Sequence, residues 1–128
     1  MVPTSGSGID AGTYTKQSAD TEAAIVREAV AAGINFIDTA EGYGSGEAER
    51  AISAAIKGAG VAREDLVIAS KVNNGNLAPV ALREACERSL SNLGTSYIDL
   101  YQIHLPERGE WDVKATFGEF KRLQVSLA

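Results

Sequence analysis

Cysteine occurs once in these 128 residues, at Cys86. A single thiol forms no intrachain disulfide and builds no multi-cysteine metal site, so no metal is expected and a reducing, cytoplasmic location is the default. Basic charge is also short: twelve Lys and Arg stand against seventeen Asp and Glu, for a formal net charge of -5. Binding to nucleic acid needs a basic footprint for the phosphate backbone, so no nucleic-acid partner is expected. No apolar run approaches the length of about 20 residues that crosses a bilayer, and no membrane partner is expected either. The stretch from Met1 to Ser7 has neither the basic start nor the apolar run of a secretion signal.

What is present is the composition of one globular domain over residues 1–128, with 45% hydrophobic and 23% charged residues. Three segments read as short buried strands: Ile34 to Ile37, Leu66 to Ala69 and Tyr97 to Ile103. The first two are nearly continuous apolar runs, the pattern of parallel strands covered on both faces. Helical patterns separate them. Val26, Ala29 and Val30 precede Gly33, which stands where a helix closes. Ala48, Ala51, Ile52, Ala55 and Ile56 form an amphipathic stripe that predicts a helix from Ser45 to Gly58. Pro79 occupies a first-turn position ahead of Leu82, Ala85, Cys86, Leu90 and Leu93, with Gly94 closing. A last helix is expected from an Asp112 cap, with Val113, Phe117, Phe120 and Leu123 on its apolar face. A weaker first strand is expected over Ile9 to Tyr14. The order β-α-β-α-β-α-β-α predicts an α/β fold of parallel βα units.

The residues that follow the three clearest strands are Asp38, Lys71 and His104, spaced 33 and 33 apart. One unit of a (β/α)₈ barrel of about 250 residues takes about 31, so the spacing fits such units. Barrels place their chemistry at the C-terminal ends of strands, where these three residues fall. Tyr43 lies five residues beyond Asp38, in the Glu41-Gly42-Tyr43-Gly44 loop. Singly, each has an ordinary structural role: an Asp caps a helix, a Lys snorkels to solvent, a His satisfies a neighbour, a Tyr packs. Together they bring an acid, a phenol, an ammonium and an imidazole to one sheet edge. A phenol is a weak acid at neutral pH, and a neighbouring ammonium favours its phenolate. An aspartate pins the ammonium, and an imidazole can hold a carbonyl oxygen. The set suits protonation of a carbonyl oxygen as hydride arrives at its carbon, the hydride coming from a cofactor.

The run Ala32-Gly33-Ile34-Asn35-Phe36-Ile37-Asp38-Thr39-Ala40-Glu41-Gly42-Tyr43-Gly44, followed by Gly46-Glu47-Ala48-Glu49, resembles the first signature of the aldo-keto reductases. Ala69-Ser70-Lys71-Val72 resembles their catalytic-lysine strand, and Ile98-Asp99-Leu100-Tyr101-Gln102-Ile103-His104-Leu105-Pro106 their catalytic-histidine strand. Leu82 to Leu90 with Leu93-Gly94 is similar to the helix between those strands, and Gly12-Thr13-Tyr14 to the segment after the first barrel strand. The likeness runs in order from about Gly8 to Leu123. It implies a tetrad of Asp38, Tyr43, Lys71 and His104. In it Tyr43 is the general acid of carbonyl reduction, Lys71 and Asp38 tune it, and His104 orients the carbonyl. It implies NADPH, less often NADH, bound without a Rossmann domain, with Gly12, Thr13, Tyr14 and Asp38 approaching the nicotinamide. The implied substrates are small-molecule aldehydes and ketones, including sugars and aromatic carbonyls. Many members carry Trp after the histidine; Leu105 stands there in this chain, and Trp111 either lines the same mouth or packs.

Members of that family run to about 300 residues and close eight strands. This chain supplies about four units, so the expected architecture is half of a barrel, with residues 124–128 matching nothing in the family. The family's contacts to the carboxamide and the adenosine phosphate lie on later strands, so the cofactor site is expected to be incomplete in these residues. Four strands leave open edges that invite self-association. Two functions follow from the sequence: a carbonyl-reducing oxidoreductase built on the tetrad, and a non-catalytic truncated half-barrel, either an interaction module or an inactive fragment.

Overall fold

The computed structural model describes residues 2–3 and 19–126. Four parallel strands and four helices alternate along them. β1 is Val2–Pro3, α1 is Ala19–Ala31, β2 is Phe36–Asp38 and α2 is Glu47–Ala59. β3 is Val67–Val72, α3 is Pro79–Leu93, β4 is Leu100–Ile103 and α4 is Val113–Ser126. The sheet order is β1-β2-β3-β4, every pair parallel. This is the expected α/β arrangement, sequential βα units laid side by side as in one half of a (β/α)₈ barrel. The strand expected over Ile9 to Tyr14 lies outside the described residues.

The helix boundaries follow from backbone chemistry. Pro79 sits in the first turn of α3, and Gly94 closes that helix at φ 66°, donating its N–H to the carbonyls of Leu90 and Ser91. A side chain at Gly94 would also collide with Ser53, since a Cβ there would lie 2.7 Å from its Oγ. Asp112 caps α4 as expected, its Oδ1 accepting the N–H of Ala115 at 3.0 Å. The start of α2 differs from the sequence expectation. Ser45 and Gly46 have φ of 53° and 92°, both left-handed, so the right-handed helix begins only at Glu47. The strands also shift. Ile34 still bonds to Ala29 as α1 unwinds, and β2 therefore runs from Phe36 to Asp38. β4 begins only at Leu100, because just before it the Asp99 carboxylate, not a backbone carbonyl, accepts the N–H of Ile68 at 2.8 Å, and Arg63 holds the approach by donating to the carbonyl of Tyr97 at 2.9 Å and to Asp99 at 2.8 Å.

The helices cover one face of the sheet. Ile37 and Ile68 pack with Val26, Ile52, Ala55, Leu66 and Leu93. Val72 packs with Leu77, Leu82, Ala85, Cys86 and Leu123. Burial pushes the Cys86 thiol up to about 11, which leaves it an inert apolar filler. α4 only half meets expectation. Leu123 is buried and Phe120 lies against the ring of Tyr101, but Val113 and Phe117 are more than half exposed. The buried contact in its first turns is polar, Thr116 Oγ1 donating to the carbonyl of Leu77 at 2.7 Å.

Candidate active site

The register of the sheet explains the 33-residue spacing. Asp38 pairs with Ala69, and Lys71 pairs with Gln102, so a partner across the ladder is 31 residues on. A spacing of 33 is that step plus two. Strand side chains alternate with period two, so the extra two residues keep Asp38, Lys71 and His104 on one face. Asp38 ends β2, Lys71 is the next-to-last residue of β3, and His104 follows β4, its N–H donating to Val72 at 3.0 Å.

The side chains meet. Lys71 Nζ donates to Asp38 Oδ1 at 2.7 Å and to the carbonyl of Thr39 at 3.0 Å. Nζ also lies 5.7 Å from the centre of the Tyr43 ring. The Tyr43 and His104 rings face each other edge to face, their centroids 5.7 Å apart and their planes at 86°. Burial, and then the Lys71 ammonium, hold the His104 imidazole below its ordinary pKa, while Asp38 pulls weakly the other way. His104 is therefore neutral at pH 7 and can donate one N–H to an oxygen. The structure thus brings together the four residues that the sequence singled out. Gly12, Thr13 and Tyr14 lie outside the described residues. Trp111 packs: its Nε1 donates to Pro106 at 3.2 Å and its ring lies 6.2 Å from that of Phe117. Among the described residues no cluster of three or more His, Cys, Asp or Glu is placed to hold a metal ion. No helix there is long and apolar enough to cross a membrane.

Sequence reasoning missed a buried pair behind Lys71. Glu49, fully buried in the first turn of α2, accepts the Ser70 hydroxyl at 2.7 Å and Asn92 Nδ2 at 3.3 Å. Ser70 points to the helical side of β3 while Lys71 points to the site side. The available signal was a serine inside an apolar strand and a glutamate beside the apolar stripe of α2.

The family model described as the Aldo/keto reductase family matches residues 6–126. The chain belongs to this family. An aldo-keto reductase of Mycobacterium marinum is 42% identical over 87 residues, 68% of this chain and 30% of that protein. An uncharacterized oxidoreductase of Bacillus subtilis is 46% identical over 88 residues, 67% of this chain and 31% of that one. Among solved structures, a thermostable aldo-keto reductase in complex with the inhibitor epalrestat superposes with a TM-score of 0.83 at 34% identity. It covers 98% of this chain, which in turn covers 45% of it. An aldo-keto reductase of Klebsiella pneumoniae in complex with NADPH gives 0.78 at 31% identity, covering 98% of this chain and 40% of its own. This aldo-keto reductase chain thus spans less than half the length of the relatives it matches, which agrees with four βα units of an eight-unit barrel.

Proposed function

We propose that this chain carries the catalytic corner of an NAD(P)H-dependent aldo-keto reductase that reduces small aldehydes and ketones to alcohols. The observation that carries the reading is the meeting of Lys71 with Asp38 at 2.7 Å, with Lys71 Nζ 5.7 Å from the centre of the Tyr43 ring and that ring edge to face with His104. The donor set fits the reacting end of a nicotinamide: one phenol, one ammonium held by one carboxylate, and one neutral imidazole. A bound nicotinamide supplies the hydride that no side chain carries. As negative charge grows on the substrate oxygen, Tyr43 releases its phenolic proton to that oxygen. The Lys71 ammonium lowers the energy of the phenolate left behind, and Asp38 holds the ammonium in place. His104 donates an N–H to the same oxygen and fixes the carbonyl plane. Alcohol oxidation runs the same path backwards, with Tyr43 as base. Gly12, Thr13, Tyr14 and Asp38 approach the nicotinamide in this reading, with NADPH preferred to NADH.

Aldehyde-dependent oxidation of NADPH tests the reading. Turnover that Tyr43→Phe abolishes, with an unchanged circular dichroism spectrum, supports it. Turnover that Tyr43→Phe leaves intact overturns the role of Tyr43, and no turnover at saturating NADPH favours the non-catalytic half-barrel.

A further inference from the structure

Asparagine is concentrated on one part of the site's rim. The loop after β3 reads Asn73-Asn74-Gly75-Asn76 and coils through a tight turn at Asn74–Asn76. Its neighbours are the loop that carries Tyr43 and the loop that follows His104. Toward Tyr43, the Glu41 carboxylate accepts the N–H of Asn73 on one oxygen and Nδ2 of Asn76 on the other, both at 2.9 Å. The N–H of Glu41 donates in turn to the carbonyl of Lys71 at 3.1 Å. Gly42 packs so closely that a Cβ there would lie 2.8 Å from Asn73 Oδ1. Toward His104, Asn74 Nδ2 donates to the carbonyl of Arg108 at 2.7 Å and to that of Leu105. The N–H of Arg108 closes the same turn on Leu105 at 3.0 Å.

Beyond the ladder the loops keep their own turn bonds, such as the N–H of Tyr43 to the carbonyl of Ala40 at 3.3 Å, and bonds of the kind above tie one loop to the next. Glu41 is two residues from Tyr43, and Leu105 is the residue after His104. We propose that the Asn73–Asn76 loop is a positioning clip. By gripping Glu41 on one side and the Leu105–Arg108 turn on the other, it sets the distance and angle between the Tyr43 and His104 rings. Asn74, Asn76 and Glu41 are its positioning residues, acting through their neighbours rather than on substrate. The functional importance of that ring geometry rests on the reductase reading above; the geometry itself does not.

The single histidine makes the test direct, because His104 gives one set of imidazole resonances in a proton spectrum of the full 128-residue chain. In the parent, those protons are expected to show a nuclear Overhauser contact to the Tyr43 ring, 5.7 Å away between centroids, and to titrate below the ordinary histidine value, with Lys71, Asp38 and Tyr43 the groups that face them. Asn74→Ala is expected to abolish the contact and to move the titration upward. Asn76→Ala should act the same way more weakly, since the Asn73 N–H still holds Glu41. Amide spectra that show an intact fold, with His104 unchanged in both variants, overturn the proposal. If Asn74→Ala does not fold, Asn76→Ala decides alone by the same criterion. Tyr43→Phe separates the two readings. It removes turnover without disturbing the ring contact, so failure of the reductase reading leaves the clip standing, and the reverse.

Discussion

The two faces of this sheet obey different rules. On the helical face, Ile37, Ile68 and Val72 are all 0% exposed and packed among leucines and isoleucines. On the other face, Asp38, Lys71 and His104 stand half-buried, and Leu100 is 45% exposed. One face is organised by area removed from water, a term that tolerates substitution if volume is kept. The other is organised by directed contacts between a few polar groups, whose worth lies in geometry. Stability and chemistry are therefore expected to separate by face, although the residues alternate one by one along the same strands.

The largest effect should fall on the polar face and leave stability alone. Tyr43→Phe is expected to lower carbonyl reduction by about 10²–10⁴-fold, the usual contribution of a positioned proton donor, while the unfolding midpoint in urea stays within error. Ile68→Ala should do the reverse. It deletes a fully buried side chain between α2 and the sheet and should lower stability by about 2–5 kcal/mol. Leu100→Ala, four positions before His104 on the exposed side of β4, should change stability by about 0.5 kcal/mol or less. A large loss at Leu100 would mean that this face is covered, and the contrast between faces would fail.

Lys71→Met belongs between these extremes. It removes the ammonium beside Tyr43 and strands the Asp38 carboxylate. Asp38 is 30% exposed, so water takes over part of the lost contact. The expected loss is about 1–2 kcal/mol of stability, read by urea unfolding, together with loss of turnover. Turnover unchanged in Lys71→Met would remove the lysine from the chemistry.

How much of this was legible in the sequence depends on the range of the interaction. The 33-residue spacing was readable because a 31-residue register and a two-residue step are both products of regular geometry. The stripe of α2, Pro79, Gly94 and the Asp112 cap were readable because each acts within a turn or two of chain. The left-handed Ser45 was not, because nothing in its residue type demands φ 53°. Val113 and Phe117 misled because an apolar pattern names a helix face but not the partner that covers it. The clip was invisible for a different reason. Glu41 to Asn76 and Asn74 to Leu105 join loops more than thirty residues apart, with no periodicity to mark them.

The smallest effect expected is on pH dependence, and two groups oppose each other in it. Burial and Lys71 lower the pKa of His104 from 6.5. The unfolded chain therefore takes up its proton first, and stability falls as pH drops below 6.5 toward the folded value. Glu41 works the other way. Burial, the largest influence, raises its pKa above 4.5, against the hydrogen bonds from Asn73 and Asn76 and the charge of Arg88, and with the charge of Glu49. The folded chain holds this proton to higher pH, so stability rises as pH falls through the folded value toward 4.5. In the parent the two slopes have opposite sign. His104→Gln should remove the falling slope, and Glu41→Gln the rising one. Urea midpoints compared at about pH 7.5 and about pH 5 separate them. His104→Gln should lose less stability than the parent on acidification, and Glu41→Gln more. An acid slope in His104→Gln equal to that of the parent would mean that the imidazole is as well solvated in the folded chain as in the unfolded one. Its place against the Tyr43 ring would then not be the directed contact on which the polar face depends.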